Sequence, residues 1–600
     1  MARAFINATI WTMAPKGSGV RPGVSPDGGA QPWLQRADAL LWEDDTILAV
    51  GKEAEVLRQA REAGATIEDL GGRVVFPGFV DAHMHFIHAG IKHLRPDLRG
   101  SRSLEDCMAR VESWLRDHPG TDAVTGEGWD ESGWEERRRP TRQDLDRAAA
   151  AAGQPDRPLV LRRIDGHIAV ANSAALPTIR RRWDSADVVD MGSGVLLEEA
   201  SLYLNEAIPA SAATLDAAVL EACRLAHAHG VTSLGDYSQA PFRAALQRAA
   251  ARGTLTVRVA SSIYVQQLDG ERATGFRSGR RALGPKDEAA LPQPGSHDGV
   301  VPGVAGGDPV SGGTSPFLRD AGLKVFLDGS LGAHTAALRE EYLDAPGHNH
   351  GDPARPGAAG QATGQPGASG QPAKRGKLNW SDAELEGLFV QAHEAGVQVH
   401  AHAIGDAAID QGLAAFAKVA ARAGPAGWGR NALRHRFEHF EIVHDGQMKQ
   451  AAALGIVSSS QPNFVGEWSS KGGMYEARLG RRFLLNNRFQ DMNRAGIAIA
   501  FGSDGMPFGP LVGIQAATLH PDVPQRMAPL EAVWHYTWMA AWSLHWEQVV
   551  GSLEVGKKAD FVVLEDTDLE APPGAWRIRE TIVAGEVMFQ RSKPPAPSRS

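Results

Sequence analysis

Cysteine is nearly missing from this chain of 600 residues: Cys107 and Cys223 stand far apart, and neither belongs to a Cys-x-x-Cys pair. That excludes a disulfide framework and a zinc knuckle, and it points to a reducing compartment. Long apolar runs are lacking too. No uninterrupted apolar stretch of about 18 residues occurs, and the opening MARAFINATIWTMAPKG has no basic segment followed by a long apolar one. A soluble, cytoplasmic protein without a membrane partner is expected. Nor does any dense Lys/Arg run carry aromatic residues between its charges. With a net charge of −9 and a pI near 6.2, this argues against nucleic acid as a partner and favours a small-molecule substrate. A homo-oligomer is left open.

What is present is ordinary globular composition, 43% hydrophobic and 22% charged, in a chain long enough for a large core plus attachments. The first 75 residues alternate short β-rich runs with turn residues, as in Ala4 to Trp11, Ala39 to Leu41, Ile47 to Val50 and Val74 to Val75. Ala559 to Leu564 and Ile578 to Phe589 have the same character, the latter around Ala584-Gly585-Glu586. Residues 1–75 and 546–590 are therefore predicted to form one discontinuous β-sandwich, with a disordered tail over 591–600. Between them, residues 76–545 repeat β-like runs that end in polar residues and are separated by helical stretches, the pattern of βα units around a parallel sheet. Candidate strands are Phe79 to His85, Val231 to Asp236, Val257 to Ile263, Leu323 to Asp328, Val397 to His402, Arg434 to His439, Ile456 to Ser460 and Ile497 to Asp504. Eight is the number a closed (β/α)8 TIM-type barrel requires. Strand-like runs Ala123 to Gly126 and Pro158 to Ile164 fall in about 140 residues that a simple crossover does not need. They predict a subdomain inserted after the first barrel strand, over roughly 95–225. The Gly/Pro-rich stretches 277–315 and 345–377 read as mobile insertions with too little apolar surface to order themselves.

Chemistry enters with FPGFVDAHMHF, which places His83 and His85 two residues apart at a strand end, on one face. Two imidazoles aimed at one point suit a divalent metal. Alone, the pair is more often a coincidence of two polar residues than a metal site. Further strand ends carry His402 in VHAHAIGD, His439 in RHRFEHFE and Asp504 in AIAFGSDGMPFGP. Barrel enzymes assemble their sites at that carboxyl end. Lys324, in GLKVFLDGS, lies in an apolar run where an ammonium is costly unless paired or chemically altered. His400 and His435 lie deeper in their strands and read as satisfied polar residues within the barrel.

With these motifs in view, the sequence resembles the amidohydrolase superfamily, and within it family 3, the group that includes N-substituted formamide deformylases. GEGWDES, RIDGH, HGVTS, DGSLGAHTAAL, HAIGD, RHRFEHF, SSSQPNF and FGSDGMPFGPL carry the likeness, which runs from PGFVDAHMHF to GSLEVGKKADFVVL. The resemblance implies one metal held by His83, His85 and Asp504 and a second by His402 and His439, with Lys324 bridging them as a carboxylated lysine. The one-metal alternative leaves Lys324 an ordinary amine. Zinc is the expected ion, with manganese or iron as alternatives. By the same likeness, Trp129, Asp130 and His167 line a substrate pocket or serve structure. His334 stands where the family more often has arginine, and it is carried as a substrate-side candidate. Asp504 would orient the water, take its proton and pass one to the departing nitrogen of a non-peptide carbon-nitrogen bond, such as an amide or formamide. The rivals are an esterase on the same site and a non-catalytic scaffold.

Overall fold

The structure is a computed structural model of this chain, describing residues 1–15, 35–164, 168–197, 199–202, 204–265, 278, 315–344, 374–565 and 569–592. Most of 277–315 and 345–377, the tail beyond 592 and His167 lie outside the described residues.

Eight strands form one sheet: β1 (Phe79–Met84), β2 (Val231–Tyr237), β3 (Arg258–Tyr264), β4 (Leu318–Phe326), β5 (Gln398–Ala403), β6 (Arg436–His439), β7 (Val457–Ser460) and β8 (Ile499–Phe501). Each pairs in parallel with its sequence neighbour. The two edges meet where the Asp504 N–H donates to the His83 carbonyl at 2.8 Å. This is the (β/α)8 barrel that the periodicity predicts, nearly closed.

Strand alternation explains how the barrel keeps its polar interior apart from its greasy exterior. On β5, Val399, Ala401 and Ala403 belong to the large cluster formed with Leu385, Phe389 and Ala392 of the helix Asp382–Glu394. His400 and His402 take the other face. Register then stacks the inward residues: Lys324 pairs with His400 and His400 with Arg436, while Phe326 pairs with His402 and His402 with Glu438. Two tiers of inward side chains, one of them polar throughout, thus cross three strands. The helices are defined by local chemistry. Ser381 accepts from the Glu384 N–H and the Glu384 carboxylate accepts from the Ser381 N–H, which starts the helix before β5. Gly455, in the left-handed conformation, ends the helix Asp445–Leu454 before β7.

Both ends of the chain build the accessory β structure. A four-stranded sheet orders Thr46–Gly51, Ala39–Glu43, Ala2–Ile6 and Thr66–Asp69. A six-stranded sheet orders Glu586–Gln590, Ile578–Val583, Phe561–Leu564, Val74–Pro77, Thr9–Trp11 and Arg36–Ala37. Phe5, Trp42, Val75, Phe561 and Ile582 share one core between them. The Trp42 indole N–H donates to the Gly585 carbonyl at 3.2 Å. Ala584 and Gly585 form a two-residue turn with φ of 51° and 79°, both positive as a tight hairpin requires. Arg258 of β3 pairs with Asp560 at 2.7 Å, both fully buried, which ties the last strands to the barrel.

Ile87–Ala222 belongs to a second compact unit. Its four-stranded sheet orders Val195–Leu197, Ile168–Ala171, Leu159–Arg163 and Val124–Trp129. Sequence patterning anticipates Val124–Trp129 and Leu159–Arg163 and misses Ile168–Ala171 and Val195–Leu197. No helix among the described residues is long and apolar enough to cross a membrane.

Candidate metal centre

The first strand end delivers His83 and His85. His83 is buried, and its Nδ1–H donates to the Glu438 carboxylate at 2.7 Å. The His85 Nδ1–H donates to the Tyr237 carbonyl at 3.1 Å. Each bond fixes the tautomer, so each neutral ring keeps its Nε2 lone pair. Both Nε2 atoms point at the same carboxylate oxygen: Asp504 Oδ1 lies 3.6 Å from that of His83 and 3.4 Å from that of His85. These separations are too long for good hydrogen bonds. They match the ~3.4 Å expected between two ligands of one tetrahedral ion bound at about 2.1 Å.

His439 completes the group, since it, His83 and Asp504 offer ligand atoms within 4.8 Å of one another. Simple alternation would send His439 outward with Phe437, which packs in the exterior cluster. Left-handed backbone at His439 (φ 73°) and Phe440 (φ 47°) turns the chain at that point, and the His439 ring faces His83 at 4.9 Å between centroids. Asp504 is left-handed as well, at φ 54°. Such a conformation costs a non-glycine residue roughly 1–2 kcal/mol. Two of the three clustered residues are held in it, as strained functional positions often are. The His439 Nδ1 is also buried without a hydrogen-bond partner, an orphan that an ion would satisfy.

His402 lies beside this group, its ring 4.5 Å from that of His439. Its Nε2–H donates to the Gly329 carbonyl at 3.1 Å, with Asp328 Oδ1 at 3.5 Å. Asp328 anchors the strand end by accepting from the N–H groups of Ala337, Ile404 and Gly405 at 2.9, 3.2 and 2.8 Å. The Lys324 ammonium is buried over the Tyr237 ring, 4.1 Å from its centroid, and 5.0 Å from that of Phe326. The structure therefore brings the ligand atoms of His83, His439 and Asp504 together, with His85 beside Asp504 and His402 beside His439.

Electrostatics favour ligation. Burial, reinforced by the neighbouring Lys324, holds His83 well below the usual imidazole range, and the same causes take His402 to about 3. Burial and the adjacent His402 lower His439. All three imidazoles are thus neutral donors at pH 7. Burial pulls the Lys324 ammonium down and pushes the Asp504 carboxyl up. Glu438 behaves oppositely: burial would raise it, but Arg436 and Lys324 outweigh burial and take it to about 2. The chemistry of this donor set, neutral nitrogen plus carboxylate around one point, fits a divalent ion.

The remaining candidates have partners of their own. The His334 Nε2 meets Asp344 at 2.9 Å, and the Arg478 guanidinium donates to the His334 Nδ1 at 2.9 Å and to Asp344 at 3.0 Å. An arginine from the helix Met474–Leu479 thus joins His334. Trp129 is fully buried in the inserted unit, with its indole N–H on the Leu161 carbonyl at 3.0 Å. Asp130 pairs there with Arg163 at 2.9 Å. Sequence reasoning passed over Glu438, Arg436, Tyr237 and Glu441. Glu441 is a buried carboxyl pushed to about 8 by desolvation, which the neighbouring Tyr475 hydroxyl offsets only in part. The charged pair inside RHRFEHF was the available signal, since Arg and Glu two residues apart on an inward strand face are rarely buried unless paired.

The sequence model of the Amidohydrolase family matches residues 66–589, and the chain belongs to that family. It is similar to the amidohydrolase YtcJ of Bacillus subtilis (strain 168), 28% identical over 595 residues, spanning 93% of this chain and 97% of that protein. It is also similar to the N-substituted formamide deformylase of Arthrobacter pascens, 26% identical over 593 residues, 93% of this chain and 95% of that one. The crystal structure of a metal-dependent hydrolase from Pyrococcus furiosus superposes with a TM-score of 0.72 at 25% identity, covering 96% of this chain and 100% of that one. The chain is accordingly a metal-dependent hydrolase of a small-molecule substrate.

Proposed function

We propose that this hydrolase cleaves a non-peptide carbon-nitrogen bond, of an amide, formamide or related compound. One observation carries the reading: a carboxylate oxygen, Asp504 Oδ1, placed 3.4 and 3.6 Å from two imidazole nitrogens whose other ring atoms are fixed by hydrogen bonds. The similarity to a formamide deformylase agrees with it. His83, His85, His439 and Asp504 would hold one divalent ion, with zinc preferred for its affinity for mixed imidazole and carboxylate ligands. His402 would serve a second ion if carbon dioxide converts the Lys324 amine into a two-oxygen ligand. A bound ion would polarise the carbonyl oxygen and bring the pKa of a water toward about 7.

The chain's own groups do the rest. Asp504 orients the attacking water, takes its proton and returns it to the departing nitrogen, so one carboxylate serves both transfers. Neutral His83 and His439 compete for no proton in that sequence, because burial keeps them uncharged.

The test is product analysis of the zinc-, manganese- and iron-loaded protein against matched panels of N-substituted formamides, other amides, carboxylate esters and phosphate esters. Release of amine from the amide panel is expected. Turnover confined to esters would replace this reading with the esterase one.

A further inference from the structure

The buried carboxylate of Glu438 has no part in the water-activation chemistry, yet it is among the most heavily bonded side chains in the barrel. Oε2 accepts from His83 Nδ1–H at 2.7 Å. Oε1 accepts from the Tyr237 hydroxyl and from Arg436 Nε, each at 2.6 Å. Arg436 in turn donates to the Tyr237 oxygen at 2.8 Å, to the Ala82 carbonyl at 3.1 Å and to the Ser543 carbonyl and hydroxyl at 3.2 Å. Arg436 and Glu438 are both wholly buried. Arg436 and the Tyr237 hydroxyl are therefore each held by further bonds of their own, the Tyr237 oxygen also meeting His400 Nδ1 at 3.0 Å. The only one of the three donors to Glu438 that also belongs to the clustered His83, His439 and Asp504 group is His83.

We infer that Glu438 is a positioning residue: it holds the His83 ring, through the Nδ1–H bond, in the tautomer and orientation that present Nε2 to the ion, and so sets the protein's metal affinity. Three physical consequences follow. A carboxylate accepts but cannot donate, so Nδ1 must carry the ring proton and Nε2 must carry the lone pair. The anion makes the imidazole a stronger base and thus a stronger ligand, the effect of carboxylate–histidine pairs on bound metals. Arg436 and the Tyr237 hydroxyl keep the anion from folding back onto another donor, so the bond to His83 is geometrically determined before any ion arrives. Tyr237 links this assembly to the second ligand as well, because its carbonyl receives the His85 Nδ1–H. β2 and β6 thereby orient both histidines of β1 without contributing a ligand from Glu438 or Tyr237. The inference rests on the metal reading of the site and is independent of which bond the enzyme cleaves.

The test compares the unsubstituted full chain with Glu438→Gln and Glu438→Asp. Gln keeps the size but loses the charge, and its amide can present an N–H to Nδ1, which favours the wrong tautomer. Asp keeps the charge beside Arg436 but withdraws the carboxylate from His83. Apo protein is titrated with cobalt(II) in competition with a chromophoric chelator, and the ligand-field spectrum and melting curve are recorded. A loss of affinity of roughly 10–100-fold is expected for Gln and a smaller loss for Asp, with turnover at saturating metal recovering much of the parental value. A folded Gln variant that binds cobalt as tightly as the parent, with only a lowered melting temperature, would reduce Glu438 to an ion partner for Arg436 and overturn the inference. Failure of the unsubstituted protein to bind any ion would overturn both the inference and the metal reading. Should neither variant fold, a crystal structure of the unsubstituted metal-loaded protein answers the same question. Nε2 of His83 on the ion with Nδ1 on Glu438 supports the assignment, and Nδ1 on the ion overturns it.

Discussion

At the scale of single residues, the site contrasts two carboxylates that face opposite ring nitrogens of His83. Glu438 is saturated with donors and held to about 2, whereas burial pushes Asp504 upward and leaves it beside two imidazole lone pairs. The first is suited to staying charged and the second to moving a proton. Asp504→Asn should therefore cut turnover by about 10²-fold or more while circular dichroism stays near the parental spectrum. Activity within a few-fold of the parent would remove Asp504 from its proposed role. Sequence motifs brought out His83, His85, His402, His439 and Asp504 because each ends a recognisable apolar run. Glu438 escaped notice because its meaning depends on His83, 355 positions away.

Among elements, the decisive contact is the seam between β1 and β8. Asp81 of β1 accepts from the Ser503 N–H at 2.9 Å and from its hydroxyl at 2.5 Å, which locks the segment that carries Asp504 against the strand that carries His83. Gly502 makes the approach feasible: a Cβ there would overlap the His83 backbone nitrogen and lie 2.8 Å from the His83 Cβ and 2.9 Å from Asp81 Oδ1. Gly502→Ala should force the seam apart, with a destabilisation of about 1–3 kcal/mol and a marked fall in turnover, because His83 and Asp504 would shift relative to each other. Chemical denaturation and steady-state kinetics would read both, and parental values in each would show that the seam is not needed. The eight barrel strands were legible because each is a compact apolar run between helical stretches. Thr66–Asp69 was not: its sequence TIED is largely exposed, and its pairing with Ala2–Ile6 supplies what the side chains do not. Ile168–Ala171 and Val195–Leu197 are short and were obscured by the turn-rich residues around them.

For the whole molecule, stability and function meet in the ion. A ligand that binds the folded state alone adds about 2.7 kcal/mol at a free concentration 100 times its Kd. Stripping the metal with a chelator should therefore lower the melting temperature and abolish turnover, and adding zinc, manganese or iron should restore both. Calorimetry that shows the same melting temperature with and without chelator would argue that no ion is bound tightly. The terminal sheets contribute at this scale as well. The buried Arg258–Asp560 pair joins β3 to the strand that follows Asp560, and the Asp560 carboxylate also accepts the Ala584 N–H at 2.7 Å. Removing one member of such a pair leaves an uncompensated charge inside the protein.

From its sequence alone this protein is determined to be a βα-repeat barrel with histidines and an aspartate at strand ends, because apolar periodicity and the polar residue closing each run are local properties of the chain. The proximity of those residues was decided only by tertiary structure. Left-handed backbone at His439 and Asp504, strand register and the Glu438 network bring together atoms from β1, β6 and β8, and no local pattern encodes a distance between strands hundreds of residues apart. His83 and His85 illustrate the division. Their spacing declares a shared face, but which nitrogen each presents is set by a carboxylate on β6 and a carbonyl on β2.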